Sequence, residues 1–384
     1  MPQPSLRAWQ EQALTRWTDA GHRGIVSVVT GGGKTIFALT CIAHIKPETA
    51  LVVVPTVALL DQWWEETAAF FDFALDEINV VGRRQGIRTG TVNLAVLNTA
   101  AKIESMAHVK PLFLIVDECH KAASPEFQNA LNIPHFATLG LSATPERQYD
   151  DGLHDVLIPA LGNIIYDYNY RDAMHDSVIV PFVLRNIVFQ LEEERQQEYD
   201  RLTKAIARAI RRAGMDAPDT VALFLRRARV QNLSLNRIQL TLRLVAANRG
   251  RRILIFHEDT NACDLIHSVL AENGVRSGIY HSKMPLRTRV EMLSAYRNGK
   301  IEVLVTCRAL DEGFNVPETE IGIIAAATAT RRQRIQRLGR VLRPAHGKES
   351  AIVYTLVASS PEIGRLQQEE KELEGVANVS WSQA

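Results

Sequence analysis

The sequence predicts an α/β protein with two parallel-sheet domains in tandem and a helical insertion. Three observations carry that reading. The apolar runs 24–29, 50–54, 92–97, 113–116 and 138–141 are nearly continuous rather than alternating, as in strands covered on both faces. Helical stretches such as 57–71 separate them in a repeated strand–helix order. A second series of the same kind, at 252–256, 275–280, 301–305, 321–326 and 351–356, follows a long basic helical interval. A chain of 384 residues accommodates two domains of ordinary size. The expected divisions are 1–176, a hinge, strand and basic helical insertion at 177–250, and 251–384.

The totals exclude several classes. Hydrophobic residues make up 46% of the chain, enough for large cores, yet no apolar run approaches the roughly 20 residues of a membrane span. The residues after Met1 lack the basic and apolar regions of a secretory leader. Cys41, Cys119, Cys263 and Cys307 are far apart and show no metal-ligand spacing, so free thiols in a reducing cytoplasm are expected. Net charge is only +1, but the window 201–252 holds thirteen Lys/Arg against two acids, Asp216 and Asp219. A second cluster comprises Arg331, Arg332, Arg334, Arg337, Arg340 and Arg343. Such asymmetry points to a polyanion track, with a solvated helix face as the alternative.

The first helix, 6–19, places Leu6, Trp9, Ala13, Leu14 and Trp17 on its apolar side. Gln10 on this helix carries a carboxamide that can both donate to and accept from an adenine edge; a surface glutamine is the alternative. The strand 24–29 then runs into Thr30-Gly31-Gly32-Gly33-Lys34-Thr35, and a helix begins at once. Strand, glycine turn and helix N-terminus together make an anion site. Lys34 is placed for the β- and γ-phosphates of a nucleotide, and the Thr35 hydroxyl for Mg²⁺. Val28 stands where the usual pattern has its first glycine.

Asp117 and Glu118 follow the strand 113–116, at the strand end where ligands bind in open α/β sheets. Asp117 suits Mg²⁺, and Glu118 suits a base that orients an attacking water. Cys119 is expected to pack rather than react. Ser142-Ala143-Thr144-Pro145 leaves another strand, and its hydroxyls can relay a hydrogen-bond change, although such a sequence is also an ordinary strand exit. After a hinge near 177–181 come a strand at 183–191 and helices at 192–213 and 220–248. In the second series, Asp311-Glu312-Gly313-Phe314-Asn315 follows a strand. Gln336, Arg340 and Arg343 share a helix face at i, i+4, i+7, and arginine suits a transferring phosphoryl group. The tail after 361 reads as one more helix and a disordered end.

In order, Gln10, Gly31 to Thr35, Pro55-Thr56, Asp117 to His120, Ser142 to Thr144, Asp311 to Asn315 and Gln336 to Arg343 resemble the motif series of superfamily 2 helicases. Leu6-Arg7-Ala8-Trp9-Gln10, Asp-Glu-Cys-His and Glu312-Gly313-Phe314-Asn315-Val316-Pro317-Glu318 are most similar to the XPB/UvsW-like group of DEAD/DEAH-box proteins. The resemblance implies two RecA-like domains that use ATP and Mg²⁺ to act on nucleic acid, most simply duplex or branched DNA. It implies that Gln10 reads adenine, that Thr30 and Gly31 to Thr35 hold phosphates, and that Gly313 lies near the nucleotide. Thr35 and Asp117 would hold the metal, and Glu118 would serve the water. His120, Ser142, Thr144 and Gln336 would couple hydrolysis to movement, with Arg340 and Arg343 as arginine fingers. Pro55, Thr56, Thr99 and Thr306 would touch the nucleic-acid backbone. An RNA helicase is an alternative, since the same motifs serve RNA. So is a nucleotide-gated subunit of a larger repair, restriction or phage-defence assembly, with a protein partner supplying targeting.

Overall fold

The structure is a computed structural model that describes residues 5–73, 77–82, 86–103, 111–145, 151–215, 217–281, 283–307, 316–326, 339 and 341–384. The chain forms two compact units, Met1–Val178 and Ile179–Ala384.

The first unit is built on seven parallel strands: β1 (Arg23–Val28), β2 (Ala50–Val54), β3 (Ile78–Val80), β4 (Val92–Val96), β5 (Leu112–Asp117), β6 (His135–Ser142) and β7 (Ile164–Tyr168). Their order is β3-β4-β2-β5-β6-β1-β7. β2 and β5 are buried at every position, as their unbroken Val/Leu/Ile runs require. The edge strands β3 and β7 lie outside the expected set. β3 has three residues and β7 is exposed at both Ile164 and Asp167, so neither carries a continuous apolar run. The helix Ala8–Asp19 is fastened to the sheet by two tryptophans. Trp17 donates from Nε1 to Thr138 O on β6 at 2.9 Å, and Trp9 stacks on Tyr168 of β7 at 5.0 Å between ring centroids.

The second unit has seven parallel strands of its own: β8 (Phe182–Val188), β9 (Ile253–His257), β10 (Ser277–His281), β11 (Val303–Cys307), β12 (Ile321–Ile324), β13 (Ala351–Val357) and β14 (Asn378–Gln383). The order is β10-β11-β9-β12-β13-β8-β14. The segment 177–250, expected as a hinge, a strand and a basic helical insertion, gives its strand to this sheet, since β8 pairs with both β13 and β14. β14 corrects the expectation of a disordered tail. Asn378–Gln383 is a polar edge strand whose partner, β8, lies almost 200 residues upstream, so nothing local marks it.

Helices Glu193–Ala213, Pro218–Asn232 and Leu235–Ala247 carry the basic window. The expected single stretch 220–248 is two helices, because Ser234 caps the second by accepting from Arg237 N. The arginines divide into two sets. Arg201, Arg212 and Arg226 are exposed and pair with Glu198 or Asp219 at 3.5 to 4.0 Å. Arg237 is fully buried. It donates to Ala325 O at 2.6 Å, Leu356 O at 3.0 Å and Gln231 O at 3.1 Å, and it lies 3.5 Å from Glu362. That guanidinium joins the helical layer to the ends of two strands and is no part of a surface track. Removing it leaves Glu362 buried without its counter-charge. Arg237→Leu is expected to destabilise the protein by about 3–5 kcal/mol, read by urea denaturation followed by circular dichroism. A loss under about 1 kcal/mol would show that Glu362 is satisfied by its other donors.

Candidate functional site

In a parallel sheet the carboxyl ends of all strands share one edge. The exits of β1, β5 and β6 are neighbours there, and Ser27 pairs with Ser142 while Asp117 pairs with Leu141. β1 leads into the glycine turn. Gly31 and Gly33 hold φ of 89° and 97°, a conformation that costs other residues dearly. Gly32 is required for another reason: a Cβ there would sit 2.4 Å from Val28 Cγ1. Val28, the departure from the usual loop pattern, thus fills the space beneath Gly32. The carbonyl of Gly32 accepts from Arg7 Nη1 and Trp9 Nε1, both at 3.2 Å. Gln10 is buried. Its Nε2 donates to Gly33 O at 3.0 Å, and its Oε1 accepts from Arg7 N at 2.9 Å. The first helix therefore props the turn from behind.

Lys34 begins the helix Lys34–Ile45, and Thr35 follows it. Lys34 Nζ lies 2.7 Å from Glu118 Oε1 and 3.9 Å from Asp117 Oδ1. Burial pulls the Lys34 ammonium toward neutrality, but the Glu118 and Asp117 carboxylates outweigh it and raise its pKa. Burial pushes Glu118 up, yet Lys34 and His120 prevail and hold it at about 2. Asp117 is raised, first by burial, with Lys34 opposing and the Glu118 charge adding. Asp117 Oδ2 accepts from Trp63 Nε1 at 2.9 Å and Oδ1 from Glu118 N at 2.9 Å, which fixes the carboxylate. Glu118 itself sits in left-handed backbone, φ 47°, a conformation worth about 1–3 kcal/mol of strain that packed surroundings must hold.

A chain of contacts leaves this cluster. His120, fully buried, has Nδ1 3.5 Å from Glu118 Oε2 and 2.9 Å from Ser142 Oγ. Ser142 Oγ accepts in turn from Thr144 N at 3.1 Å. The structure therefore brings Gln10, Gly31 to Lys34, Asp117, Glu118, His120, Ser142 and Thr144 together at one sheet edge.

The residue set fits a nucleotide phosphate and Mg²⁺. Thr30 Oγ1 is buried with no hydrogen-bond partner among the described residues, and Gly31–Gly33 present backbone with no Cβ in the way. The Asp117 carboxylate and Thr35 hydroxyl are hard oxygen donors of the kind Mg²⁺ takes alongside water and phosphate.

Other expected residues fare differently. Pro55 and Thr56 leave β2, and Thr56 Oγ1 caps the helix Val57–Phe71 by accepting from Leu59 N at 3.4 Å. Thr99 is half-buried in the short helix Leu97–Ala100 after β4. Thr306 is buried in β11, and its hydroxyl donates to Ile255 O at 2.9 Å. Gly313, Gln336 and Arg340 lie outside the described residues. Arg343 is described and half-buried. Sequence reasoning missed Trp63, which orients Asp117, and Arg7 and Trp9, which hold the glycine turn. Arg7 and Trp9 lay within the run that carried the resemblance, whereas Trp63 had no signal.

Two parallel α/β sheets in tandem, the first with a lysine–carboxylate cluster at its strand ends, define a protein of two RecA-like domains. Residues 3–147 match the family model "Type III restriction enzyme, res subunit", and residues 236–345 match "Helicase conserved C-terminal domain". The chain is 28% identical over 361 residues to the DNA 3'-5' translocase XPB2 of Sulfurisphaera tokodaii, covering 88% of this chain and 78% of that protein. It is 25% identical to the DNA 3'-5' helicase XPB of Kineococcus radiotolerans, covering 92% of this chain and 60% of that one. It spans 54% of the putative DNA 3'-5' helicase Rad25 of Haloarcula marismortui, at 27% identity and 94% of this chain. Among solved structures, Saccharomyces cerevisiae Dbp5 bound to RNA and ADP BeF3 superposes with a TM-score of 0.62 at 14% identity, over 98% of this chain and 89% of that one. The Type ISP restriction-modification enzyme LlaBIII bound to DNA gives 0.68 at 12% identity, over 100% of this chain and 32% of that one. The two family models and these relatives support a superfamily 2 helicase of the XPB-like group, with the ATP-dependent helicase or translocase activity that such domains carry.

Proposed function

We propose that this chain hydrolyses ATP to ADP and phosphate at the β1–β5 edge and uses the cycle to move along duplex or branched DNA. The carrying observation is the continuous path from Lys34 through Glu118, His120 and Ser142 to Thr144. In this reading Gln10 meets adenine, Thr30 and Gly31 to Gly33 take the phosphates, and Gly313 lies near the nucleotide. Lys34, turning to the phosphates, releases Glu118 to orient the attacking water. Thr35 and Asp117 hold Mg²⁺, which when bound neutralises charge on the phosphate oxygens. His120 and Ser142 sense the change at Glu118 and pass it to Thr144, and Gln336 joins the same coupling. Arg340 and Arg343 of the second unit supply the guanidinium groups for the transferring phosphoryl group. Pro55, Thr56 and Thr99, with the exposed arginines between 201 and 229, hold backbone phosphates.

The DNA-directed names of the relatives support DNA over RNA. Likeness to a relative named as a helicase/translocase subunit of general transcription and DNA repair factor IIH supports a partner that supplies targeting. The four cysteines are buried thiols outside any disulfide among the described residues, which supports a reducing cytoplasm, and no described helix is long and apolar enough to cross a membrane. The test is ATP turnover with duplex DNA, forks, single strands and RNA at rising salt. Duplex or forked DNA is expected to stimulate at least about tenfold, and the stimulation to fade between 50 and 200 mM salt as phosphate contacts release. Stimulation by RNA alone would overturn the DNA reading, and stimulation by no nucleic acid would overturn the motor reading.

A further inference from the structure

Lys348 lies in the turn before β13, and its Nζ donates to three backbone carbonyls. They are Pro317 O at 3.0 Å, Arg343 O at 2.7 Å and Val341 O. An ammonium has three N–H groups, and all three are used. The intervening carbonyl, Leu342 O, accepts from Val180 N at 2.9 Å, two residues past the boundary between the units. Three consecutive carbonyls, 341 to 343, are thus each held by a donor from elsewhere in the unit. The segment is also seated on the sheet. Val341 and Leu342 are fully buried, and Val341 Cγ2 would lie 2.8 Å from a Cβ added at Gly322 of β12. Pro317, the third acceptor, follows closely on the segment that contains Gly313.

Burying an ammonium away from water is costly unless its donors are satisfied. Burial lowers the Lys348 pKa to about 8, against the pull of the Glu320 and Glu318 carboxylates. A neutral side chain could bridge two loops at smaller cost. A point cation at the focus of three carbonyls adds rigidity where Arg343 leaves the core.

We propose that Lys348 is a positioning residue for Arg343: it fixes the backbone from which the guanidinium is presented and ties it to the chain that follows Gly313. Lys348 touches no substrate and acts only through these carbonyls. The proposal rests on the reading of Arg343 as a phosphate-directed group.

The test uses the full chain with duplex DNA. It measures kcat, KM for ATP and binding of a fluorescent ATP analogue in Lys348→Met, Lys348→Gln, Lys348→Arg, Arg343→Ala and the double variant Lys348→Met/Arg343→Ala. Lys348→Met is expected to lower kcat about 10- to 100-fold, the scale of a misplaced catalytic group. Analogue binding should stay within about twofold, because the glycine turn and Lys34 belong to the other unit. Lys348→Arg, a cation with several donors, should regain most of the rate, and Lys348→Gln, with two, should fall between. The double variant should lose no more than Arg343→Ala alone, since the two residues act as one unit. An unchanged kcat in Lys348→Met overturns the proposal, as does an independent, multiplicative loss in the double variant. Should Lys348→Met not fold, the order of Arg, native and Gln rates decides, and equal rates overturn it. A normal kcat in Arg343→Ala would instead remove the underlying reading of the arginine.

Discussion

Glu118→Gln is expected to lower ATP turnover about 10²- to 10⁴-fold, the range for loss of a general base, while ATP still binds. The substitution keeps shape and volume and removes only the charge that Lys34 now meets at 2.7 Å. Glu118 is well suited to the role, because Lys34 and His120 hold its carboxyl ionised against the effect of burial. It is also tethered, since its backbone N–H donates to Asp117 and its turn is set by a left-handed φ. Lys34→Ala should be as severe for turnover and should weaken ATP binding as well, because in the proposed cycle Lys34 meets the phosphates directly. Phosphate release measured beside fluorescent-analogue binding separates the two. Turnover that persists in both variants would show that the chemistry lies elsewhere.

How much of this could be read from the residues alone depends on how local each signal is. The glycine turn was legible because Gly31 to Gly33 followed by Lys34 and Thr35 is a contiguous run whose geometry follows from its composition. Asp117 and Glu118 were legible because they end an unbroken apolar strand. Residues that act across the fold left no such trace. Trp63 reaches Asp117 over 54 positions, and within its helix it reads as one more apolar side chain. Gln10 was singled out, but its bond to Gly33 O depends on how the first helix packs. Edge strands escaped for the opposite reason: β3, β7 and β14 lack the all-apolar character that betrays central strands. Charge misled once. Arg237 counts toward the basic window, yet it sits in the core with Glu362, and only tertiary structure separates it from Arg201 or Arg226.

Arg343→Ala is expected to lower kcat about 10³-fold or more with KM for ATP little changed, the scale for an arginine finger. The guanidinium would act when charge spreads onto the transferring phosphoryl oxygens, so its loss falls on the transition state and not on ground-state binding. Arg343→Lys should recover little. An ammonium keeps the charge but lacks the planar fork that meets two oxygens at once. Arg340, three residues earlier in the sequence, is expected to show the same split in kcat and KM. If the two share one task, the double variant should lose less than the product of the single losses. Added guanidinium ion should restore part of the turnover of Arg343→Ala and none of that of Glu118→Gln. A result in which Arg343→Ala raises KM and leaves kcat intact would move Arg343 from the chemistry to binding.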